Sequence, residues 1–515
     1  MKKAKPAHTY AAYVALLLLG SLLLFRVFGP LLTQPNHHLF VVGEDALKNY
    51  YTPAYYVKYD QGLHFSGMNY PFGEHVVFTD NQPLLSLALN FVDDHLFPVA
   101  HLVPGILNLL MIGSILLCMV LVFRLLLRYG LPAWYAIPAA MLITTLSPQI
   151  HRIEGHYALA YAFFIPLIWN LLIKAHAGKR RWLGYGLLLA TISLFGFLHA
   201  YYVLMGAVFS MAYLGLGALL GPTQGRWKKL ALALIAGLVP VLVFQGFLGM
   251  TDAVGDRPDS PYGFFLYRAY LQGIFLPVEG PLWEAWHRLF HTVKRPEGEA
   301  WAYTGLVCAT VFVFTLAKWG KLLFRKYLHP RKLLLPALPG DMQTAFWAGV
   351  LVLLFAMAFP FTLLPESLIE GLGPLRQFRS LGRFAWVFYY VFGVYSAFYL
   401  YLIFRRMRQR GLLVFARWML VLALLIWGTE AALFLQTKTK RIKEAENENI
   451  FRERPDDYGK WLAEAGRAAD AADGPLGSRR RRDGRESDVR DHVNVLSTAA
   501  CASRGRRAAL PARLR

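Results

Sequence analysis

Charged side chains and cysteines are scarce in this sequence. Only 17% of its 515 residues are charged, whereas 56% are hydrophobic, and the mean hydropathy is positive. A water-soluble domain carries a larger charged fraction, so this composition excludes an ordinary soluble protein. The three cysteines, Cys118, Cys308 and Cys501, are too scattered for a disulfide framework or a cysteine metal site.

One long stretch lacks arginine altogether. Residues 31–100 contain no arginine and only two lysines, Lys48 and Lys58. Basic residues cluster instead in alternate loops, as the positive-inside rule requires of cytoplasmic loops. This pattern explains the net charge of +22 without nucleic-acid binding. It predicts a cytoplasmic N-terminus and an external first loop at 31–100, although the side of the C-terminus stays open.

Long apolar runs are abundant. A helix needs about 20 apolar residues to cross ~30 Å of hydrocarbon. Because the runs are continuous rather than alternating, they favour helices over a β-barrel. The sequence predicts an all-α polytopic membrane protein. About eleven spans are predicted, near 11–30, 103–127, 132–149, 157–174, 182–198, 200–220, 229–249, 301–319, 344–363, 384–404 and 414–435.

The predicted membrane domain covers 1–435, with further external loops at 251–300 and 364–383. In the first loop, tyrosines spaced one, four and five residues apart predict an amphipathic helix over 45–61 that lies on the membrane surface. The segment 83–97 is apolar but too short to cross, so we expect an interfacial or re-entrant segment there.

The C-terminal region changes in composition. A short soluble extension is predicted at 436–470. From 471 to 515 there are eleven arginines, no lysine and no Phe, Trp or Tyr, which predicts a disordered tail. Because an out-of-frame reading of a GC-rich gene produces such a composition, we hypothesise a frameshift near residue 470.

An acidic pair, Glu44 and Asp45, follows the first apolar run. In one interpretation the pair is solvated or Asp45 caps the helix that follows. In the other, a carboxylate here is a general base that deprotonates an acceptor hydroxyl. Asp80, in FTDNQP, is either a turn residue or a second carboxylate, which could hold a divalent cation if it lies close to Asp45.

Histidines occur at predicted outer membrane faces. His151 and His156, in HRIEGH, are five residues apart, and this disfavours the helical zinc site typical of i, i+4 spacing. Hydrogen bonding to a phosphate or sugar hydroxyl is favoured over metal binding, and a structural role is favoured over both. The same alternatives apply to His199, in FLHAYY.

Arginines in an external loop need an explanation, because the positive-inside rule disfavours them there. Arg376, Arg379 and Arg383, in RQFRSLGRF, have i, i+3, i+7 spacing, which predicts one helical face that carries all three. Guanidinium groups bind phosphate through paired hydrogen bonds, so these residues are candidates for a phosphate site. The alternative is an ion pair with Glu366 or Glu370.

The loop at 251–300 adds two candidates. Arg257 is a candidate for a secondary substrate contact, and the neighbouring Asp256 and Asp259 are candidate ion-pair partners for the arginine run. Tyr262 either stacks on a sugar ring or belongs to the aromatic belt at the membrane surface, which is the favoured interpretation for most aromatic residues here.

The chain resembles the GT-C superfamily of integral membrane glycosyltransferases, in its bacterial polyprenyl-phosphate-sugar type. The resemblance is carried by the cytoplasmic N-terminus, the long first external loop that opens with an acidic pair, the amphipathic helix in that loop and the eleven or so spans. The resemblance covers roughly residues 10–435. The soluble C-terminal domain often seen in such proteins is absent or scrambled in this sequence. The resemblance implies transfer of a sugar from a polyprenyl-phosphate donor to a glycan, lipid or protein acceptor at the outer face of the cytoplasmic membrane. It implies Asp45, or else Glu44, as catalytic base. FRSLGRF is similar to a motif of bacterial GT-C-like proteins, which implies donor-phosphate contact by Arg379 and Arg383.

Two other functions stay open. A transporter or flippase for a lipid-linked anionic glycan would need charged or helix-breaking residues near the bilayer midplane and repeated halves. The charged motifs lie instead at junctions of loops and spans, which favours the enzyme. A structural partner in envelope assembly would need no catalytic carboxylate. No cofactor is expected with certainty, beyond the divalent cation considered above. The expected location is the bacterial inner membrane.

Overall fold

The computed structural model describes residues 6–42, 44–69, 71–177, 181–221, 223–255, 257, 263–291, 295–324, 338–365, 368–369, 371 and 373–448. Regular structure in these residues is almost entirely helical. Two short antiparallel strands, β1 (His64–Phe65) and β2 (Glu74–His75), pair with each other. The chain is an all-α polytopic membrane protein, as predicted. The predicted tail at 471–515 lies outside the described residues.

The α-helices of the described chain are numbered here in sequence order. They are α1 (Pro6–Thr33), α2 (Glu44–Tyr59), α3 (Pro83–His95), α4 (Val103–Arg128), α5 (Ala133–Thr145), α6 (Phe164–Ala177), α7 (Arg181–Gly196), α8 (Ala200–Leu220), α9 (Arg226–Thr251), α10 (Leu271–Phe275), α11 (Gly280–Leu289), α12 (Leu306–Phe324), α13 (Gly340–Ala356), α14 (Ala385–Gln409) and α15 (Leu413–Glu448). Turns of 3-10 helix include Pro148–Glu154, Gly298–Ala300, Gly373–Gln377 and Leu381–Phe384.

Seven helical segments of the described chain are long and apolar enough to cross a membrane. They are Thr9–Thr33, Ala100–Arg128, Tyr157–His176, Ala200–Leu220, Arg226–Thr251, Leu381–Gln409 and Leu413–Lys443. Helices α5 and α13 are apolar but shorter. Together with α7 and α12, these segments account for every one of the predicted spans, so the sequence located the apolar helices correctly.

The chain divides into two compact units. The first comprises Met1–Gly29, Leu109–Ile153 and Ala158–Lys440, and the second comprises Pro30–Asn108, Glu154–Tyr157 and Arg441–Arg515. The predicted boundaries at 435 and 470 stay predictions.

In the first unit, helices approach closely where the sequence supplies small residues. A Cβ on Gly206 of α8 would lie only 2.9 Å from Cγ1 of Ile192 in α7. Small residues of this kind allow membrane helices to pack against each other. The first half of α14 is buried, and the Tyr389 hydroxyl donates to the Ile143 carbonyl at 2.6 Å, so this buried polar group is paired.

The second unit is built on α2, which forms where the tyrosine spacing predicts it. The Tyr50 hydroxyl donates to Oδ1 of Asn108 at 2.5 Å. Asn108 in turn donates through Nδ2 to the carbonyls of Pro35 and His38 at 2.7 and 2.8 Å. Burial raises the pKa of Tyr50 well above its usual value, so the hydroxyl remains a donor and holds α2 in place.

Helix α3 and the two residues after it have an inverted distribution of polarity. Ser86 and Asn90 are buried, whereas Phe91, Leu96 and Phe97 are 57%, 66% and 58% exposed. An element with polar residues inside and apolar residues outside suits contact with the acyl region of a bilayer. Because Asp94 and His95 of α3 are also exposed, this inversion is partial, and the interfacial or re-entrant segment at 83–97 stays a prediction.

Candidate functional site

Asp45 lies in the first turn of α2, and its side chain is exposed. Within the described residues, no hydrogen bond or ion pair holds its carboxylate. It is not the helix cap, because α2 begins one residue earlier, at Glu44. The Glu44 side chain, the other predicted base, lies outside the described part of the structure. The Asp45 carboxylate is therefore accessible at the N-terminal end of α2.

Asn49, one turn after Asp45, joins α2 to the chain around His156 in the same unit. Its Nδ2 donates to the carbonyls of Asp45 and Gly155, both at 2.7 Å. Its Oδ1 accepts from the backbone N–H of Tyr157 at 3.2 Å. A Cβ on Gly155 would lie 3.7 Å from Cβ of Asp45. The backbone on both sides of His156 is therefore fixed close to the Asp45 side chain.

Asp80 also contacts α2, through an ion pair with Lys48. Lys48 Nζ lies 2.8 Å from Asp80 Oδ2, and the two side chains are 37% and 35% exposed. A pair this exposed contributes roughly 0–1 kcal/mol. The backbone of Asp80 and Gln82 is left-handed, with φ of 59° and 54°. Aspartate adopts this backbone conformation in ordinary turns, so the turn and the second-carboxylate interpretations of Asp80 both stay open.

Metal binding receives no added support here. Among the described residues, no three His, Cys, Asp or Glu side chains form a group that could hold a metal ion. The divalent cation considered for Asp45 and Asp80 stays a prediction. Cys118 and Cys308 are buried free thiols, and a buried free cysteine behaves as a small apolar residue.

The chain before α14 is not one helix, so the prediction of a single face that carries Arg376, Arg379 and Arg383 is wrong. Two separate 3-10 turns, Gly373–Gln377 and Leu381–Phe384, flank the irregular residues 378–380. The three side chains consequently differ in environment. Arg383 is buried, Arg376 is half-buried and Arg379 is exposed.

Arg383 belongs to a buried cluster with Glu299 and Arg152 in the first unit. Its Nε donates to Oε2 of Glu299 at 2.6 Å, while Nη1 of Arg152 donates to Oε1 at 3.0 Å. The Arg383 guanidinium lies 4.5 Å from the centre of the Tyr201 ring, and that of Arg152 lies 5.5 Å from the Trp386 ring. Two guanidinium groups thus share the Glu299 carboxylate, which gives these three residues an excess of positive charge.

The ion-pair interpretation therefore holds for Arg383, with Glu299 as its partner. Glu366 and Glu370, the partners considered from sequence, lie outside the described residues, as does Tyr262. The exposed Arg379 has no partner among the described residues. A Cβ on Gly263 would lie 3.3 Å from Cβ of Arg379, so the chain next to Tyr262 reaches this arginine.

His151 lies in the first unit, in a buried cluster with Glu279 and Lys438. Lys438 Nζ is 2.8 Å from Oε1 of Glu279 and 3.1 Å from Nδ1 of His151. His151 Nδ1 is 3.5 Å from Oε2 of Glu279. Burial opposes ionisation of Glu279, but the adjacent His151 and Lys438 prevail and hold the pKa of that carboxyl well below its usual value. These contacts favour the structural interpretation of His151.

Glu430 lies inside the apolar segment Leu413–Lys443 and is 3% exposed. Its carboxylate accepts from the Tyr303 hydroxyl and from the backbone N–H of Leu306, which is 3.0 Å from Oε2. Leu306 begins α12, so a carboxylate from one helix caps another. Gly305 has φ of +94°, and a Cβ there would lie 2.9 Å from Oε2 of Glu430. An ionisable residue within a span is a functional candidate.

Two predicted residues have local structural contacts. His199 is the N-cap of α8, where its Nδ1 accepts from the Tyr201 N–H at 3.3 Å. Arg257 makes a bidentate ion pair with Asp252, at 2.6 and 3.0 Å. A role for either residue in substrate binding stays a prediction.

Sequence analysis did not identify the buried charged residues of the first unit. Arg383 is the exception, and the residues missed among those that the structure describes include Arg152, Glu279, Glu299, Glu430 and Lys438. Glu430 could have been found, because it lies within the predicted span at 414–435, where a carboxylate is costly. The loop glutamates have no distinctive local pattern, since their burial depends on contacts with residues distant in sequence.

A model of the family described as a domain of unknown function, DUF6311, matches residues 17–427. The chain belongs to the DUF6311 family. Asp45 and the arginine run lie within the part that matches DUF6311, whereas Glu430 and Lys438 follow it. No curated protein matches the chain.

Among solved structures, this DUF6311 chain is similar to the crystal structure of the Archaeoglobus fulgidus oligosaccharyltransferase in the apo form. The two are 14% identical, with a TM-score of 0.48. The similarity covers 84% of this chain and 56% of the other, so the chain spans little more than half the length of that protein.

Proposed function

We propose that this protein is a membrane glycosyltransferase of the GT-C type. In this proposal it moves a sugar from a polyprenyl-phosphate donor to a glycan, lipid or protein acceptor at the outer face of the bacterial cytoplasmic membrane. The observation that carries the proposal is the exposed Asp45 carboxylate on an otherwise anchored helix. A general base must reach its substrate while its backbone stays in place, and α2 meets both requirements.

Asp45 is assigned as the base, with Glu44 as the second candidate. Its carboxylate would take the proton of the acceptor hydroxyl as that oxygen attacks the anomeric carbon. The bond between that carbon and the phosphate oxygen breaks, and its electron pair leaves with the lipid phosphate. His156, beside Gly155, is the candidate hydrogen-bonding partner of the acceptor, and Asp80, which pairs with Lys48 of α2, is a further candidate.

Arg379 is assigned as the donor-phosphate contact, with Arg376 as a second candidate. An exposed guanidinium can form two parallel hydrogen bonds to phosphate oxygens. Arg383 is buried against Glu299, so its part in the proposal is electrostatic. Together with Arg152, it would favour the negative charge that builds up on the leaving phosphate. Tyr262 is the candidate for stacking on the sugar.

The test compares Asp45→Asn and Arg379→Ala with two controls on exposed residues, Asp94→Asn in α3 and Arg410→Ala after α14. Membrane vesicles that carry the full chain are supplied with a polyprenyl-phosphate sugar, and donor consumption is followed. We expect Asp45→Asn to slow consumption by at least about 100-fold, the usual contribution of a general base. Arg379→Ala should also accumulate donor, and both controls should match the unaltered protein. Normal consumption in Asp45→Asn and Arg379→Ala would contradict the proposal.

A transporter or flippase for a lipid-linked anionic glycan is the alternative, and the observation compatible with it is the buried Glu430. A buried carboxylate within an apolar span is a feature of transport pathways as well as of enzymes. The two functions differ in outcome: a flippase moves the labelled donor across the vesicle membrane unchanged, whereas a transferase converts it to free lipid phosphate.

A further inference from the structure

A small cavity in the first unit is lined by Glu430 and by two members of the His151–Glu279–Lys438 cluster. Its lining includes His151, Glu279, Tyr303 and Glu430, and the remaining side chains are mostly apolar. The cavity volume is about 30 Å³. One water molecule needs roughly 10–15 Å³ measured in this way, so there is room for about two waters and none for a sugar.

The charges around this cavity can be counted. Lys438 and Glu279 form an ion pair at 2.8 Å and cancel each other. His151 and Glu430 remain, and each can be neutral or charged. A protonated Glu430 beside a neutral His151 gives no net charge. An ionised Glu430 with a protonated His151 also gives none. Every other combination buries an uncompensated charge, which is expensive away from water.

Both neutral arrangements contain the same number of protons, and they differ only in which residue holds one of them. We propose that His151 and Glu430 form a buried proton-exchange site, in which cavity water carries a single proton between the Glu430 carboxyl and the His151 imidazole. In one direction the O–H bond of Glu430 breaks and an N–H bond forms on His151. The products are a carboxylate and an imidazolium, and no other reactant is needed.

The surroundings supply a counter-group for each state of this proton-exchange site. The N-terminus of α12 and the Tyr303 hydroxyl face Glu430 and favour its carboxylate. The Cys308 thiol in α12 is also close to Glu430.

On the other side of the site, Glu279 lies 3.5 Å from His151 and favours the imidazolium, while Lys438 opposes it. The Trp301 and Phe434 rings enclose His151 at 5.3 and 5.0 Å. The Arg295 guanidinium lies 4.3 Å from the centre of the Trp301 ring. Arg295 is exposed, so its charge is screened by solvent.

The test uses the full chain in lipid nanodiscs and the variants Glu430→Gln and His151→Gln, which keep size and hydrogen-bonding capacity. Infrared spectroscopy reports protonated carboxyl groups through their carbonyl stretch, and NMR of ¹⁵N-labelled histidine reports the imidazolium. We expect His151→Gln to strengthen a carbonyl band that Glu430→Gln abolishes, because the proton then has no imidazole to move to. We expect Glu430→Gln to lower the imidazolium fraction of His151 at fixed pH by about tenfold or more.

Glu284→Gln, an exposed carboxylate in α11, is the control and should change neither signal. An imidazolium fraction of His151 that is the same with and without Glu430 would overturn the proposal. A carbonyl band of the same intensity with and without His151 would also overturn it. Either folded variant decides the matter alone. Because neither measurement uses sugar transfer, the result is separable from that of the donor-consumption assay.

Discussion

At the scale of single residues, buried carboxylates hold cationic side chains in fixed positions. Glu299 is the clearest case, since Arg152 and Arg383 both donate to it and its side chain is only 19% exposed. Removing its charge would leave two guanidinium groups close together in a poorly solvated site. Breaking a buried ion pair of this kind typically costs about 3–5 kcal/mol.

We therefore expect Glu299→Gln to destabilise the protein by about 2–3 kcal/mol. This is somewhat less than the typical cost, because Glu299 retains some solvent contact. Unfolding by denaturant in detergent micelles would measure the loss. Glu297→Gln, an exposed carboxylate two residues away, is the matched control and should stay within about 0.5 kcal/mol. Equal stability of the two variants would show that the arginines do not depend on Glu299.

At the scale of elements, α2 and the chain around His156 act together because one amide joins them. Asn49→Ala would remove its bonds to Gly155 and Tyr157 and leave a carbonyl and an N–H without these partners. We expect faster backbone hydrogen exchange at the Tyr157 amide, by about fivefold or more, if the bond contributes about 1 kcal/mol. Lys58→Ala, at an exposed position of α2, should leave that exchange rate unchanged. Unaltered exchange in Asn49→Ala would mean that other contacts fix the segment.

The element before α14 shows why spacing alone misled. An i, i+3, i+7 pattern describes a helical face only if the backbone is helical. Gly382 prevents this, because its N–H donates to the Tyr267 carbonyl at 2.7 Å rather than within a helix. A Cβ at Gly382 would lie 2.7 Å from Cα of Ala300, so only glycine allows these two segments of the chain to approach this closely. The deciding partners are more than 80 residues away in sequence.

At the scale of the whole molecule, the sequence predicted what depends on local composition. Apolar runs located the helices, and the tyrosine pattern located α2, because both signals are contained in one segment. The partners of His151 and Arg383 could not be predicted, since Glu279, Glu299 and Lys438 look like ordinary loop or helix-end charges until the chain folds. Asp45 belongs to one unit and Arg383 to the other, so their action on one substrate stays a proposal.

Global stability should also depend on pH through Glu279. Its pKa in the folded chain lies well below the ordinary value of 4.5, because His151 and Lys438 stabilise the carboxylate more than burial opposes it. Below that ordinary value the Glu279 carboxyl binds a proton in the unfolded chain but remains ionised in the folded chain. Stability is therefore fully present above about pH 5 and falls by up to about 1.4 kcal/mol for each pH unit as the solution is acidified further.

We expect the unfolding temperature of the detergent-solubilised protein to fall more steeply between pH 5 and pH 3 than that of Glu279→Gln, which has no such proton to bind. At pH 7 Glu279→Gln should be less stable than the unaltered protein, because Lys438 then lacks its counter-charge in a buried site. Glu284→Gln, exposed in the helix that follows Glu279, should follow the unaltered protein at every pH. Parallel pH profiles for the unaltered protein and Glu279→Gln would show that Glu279 titrates alike in the folded and unfolded chains, and would contradict the ion-pair cluster as a source of stability.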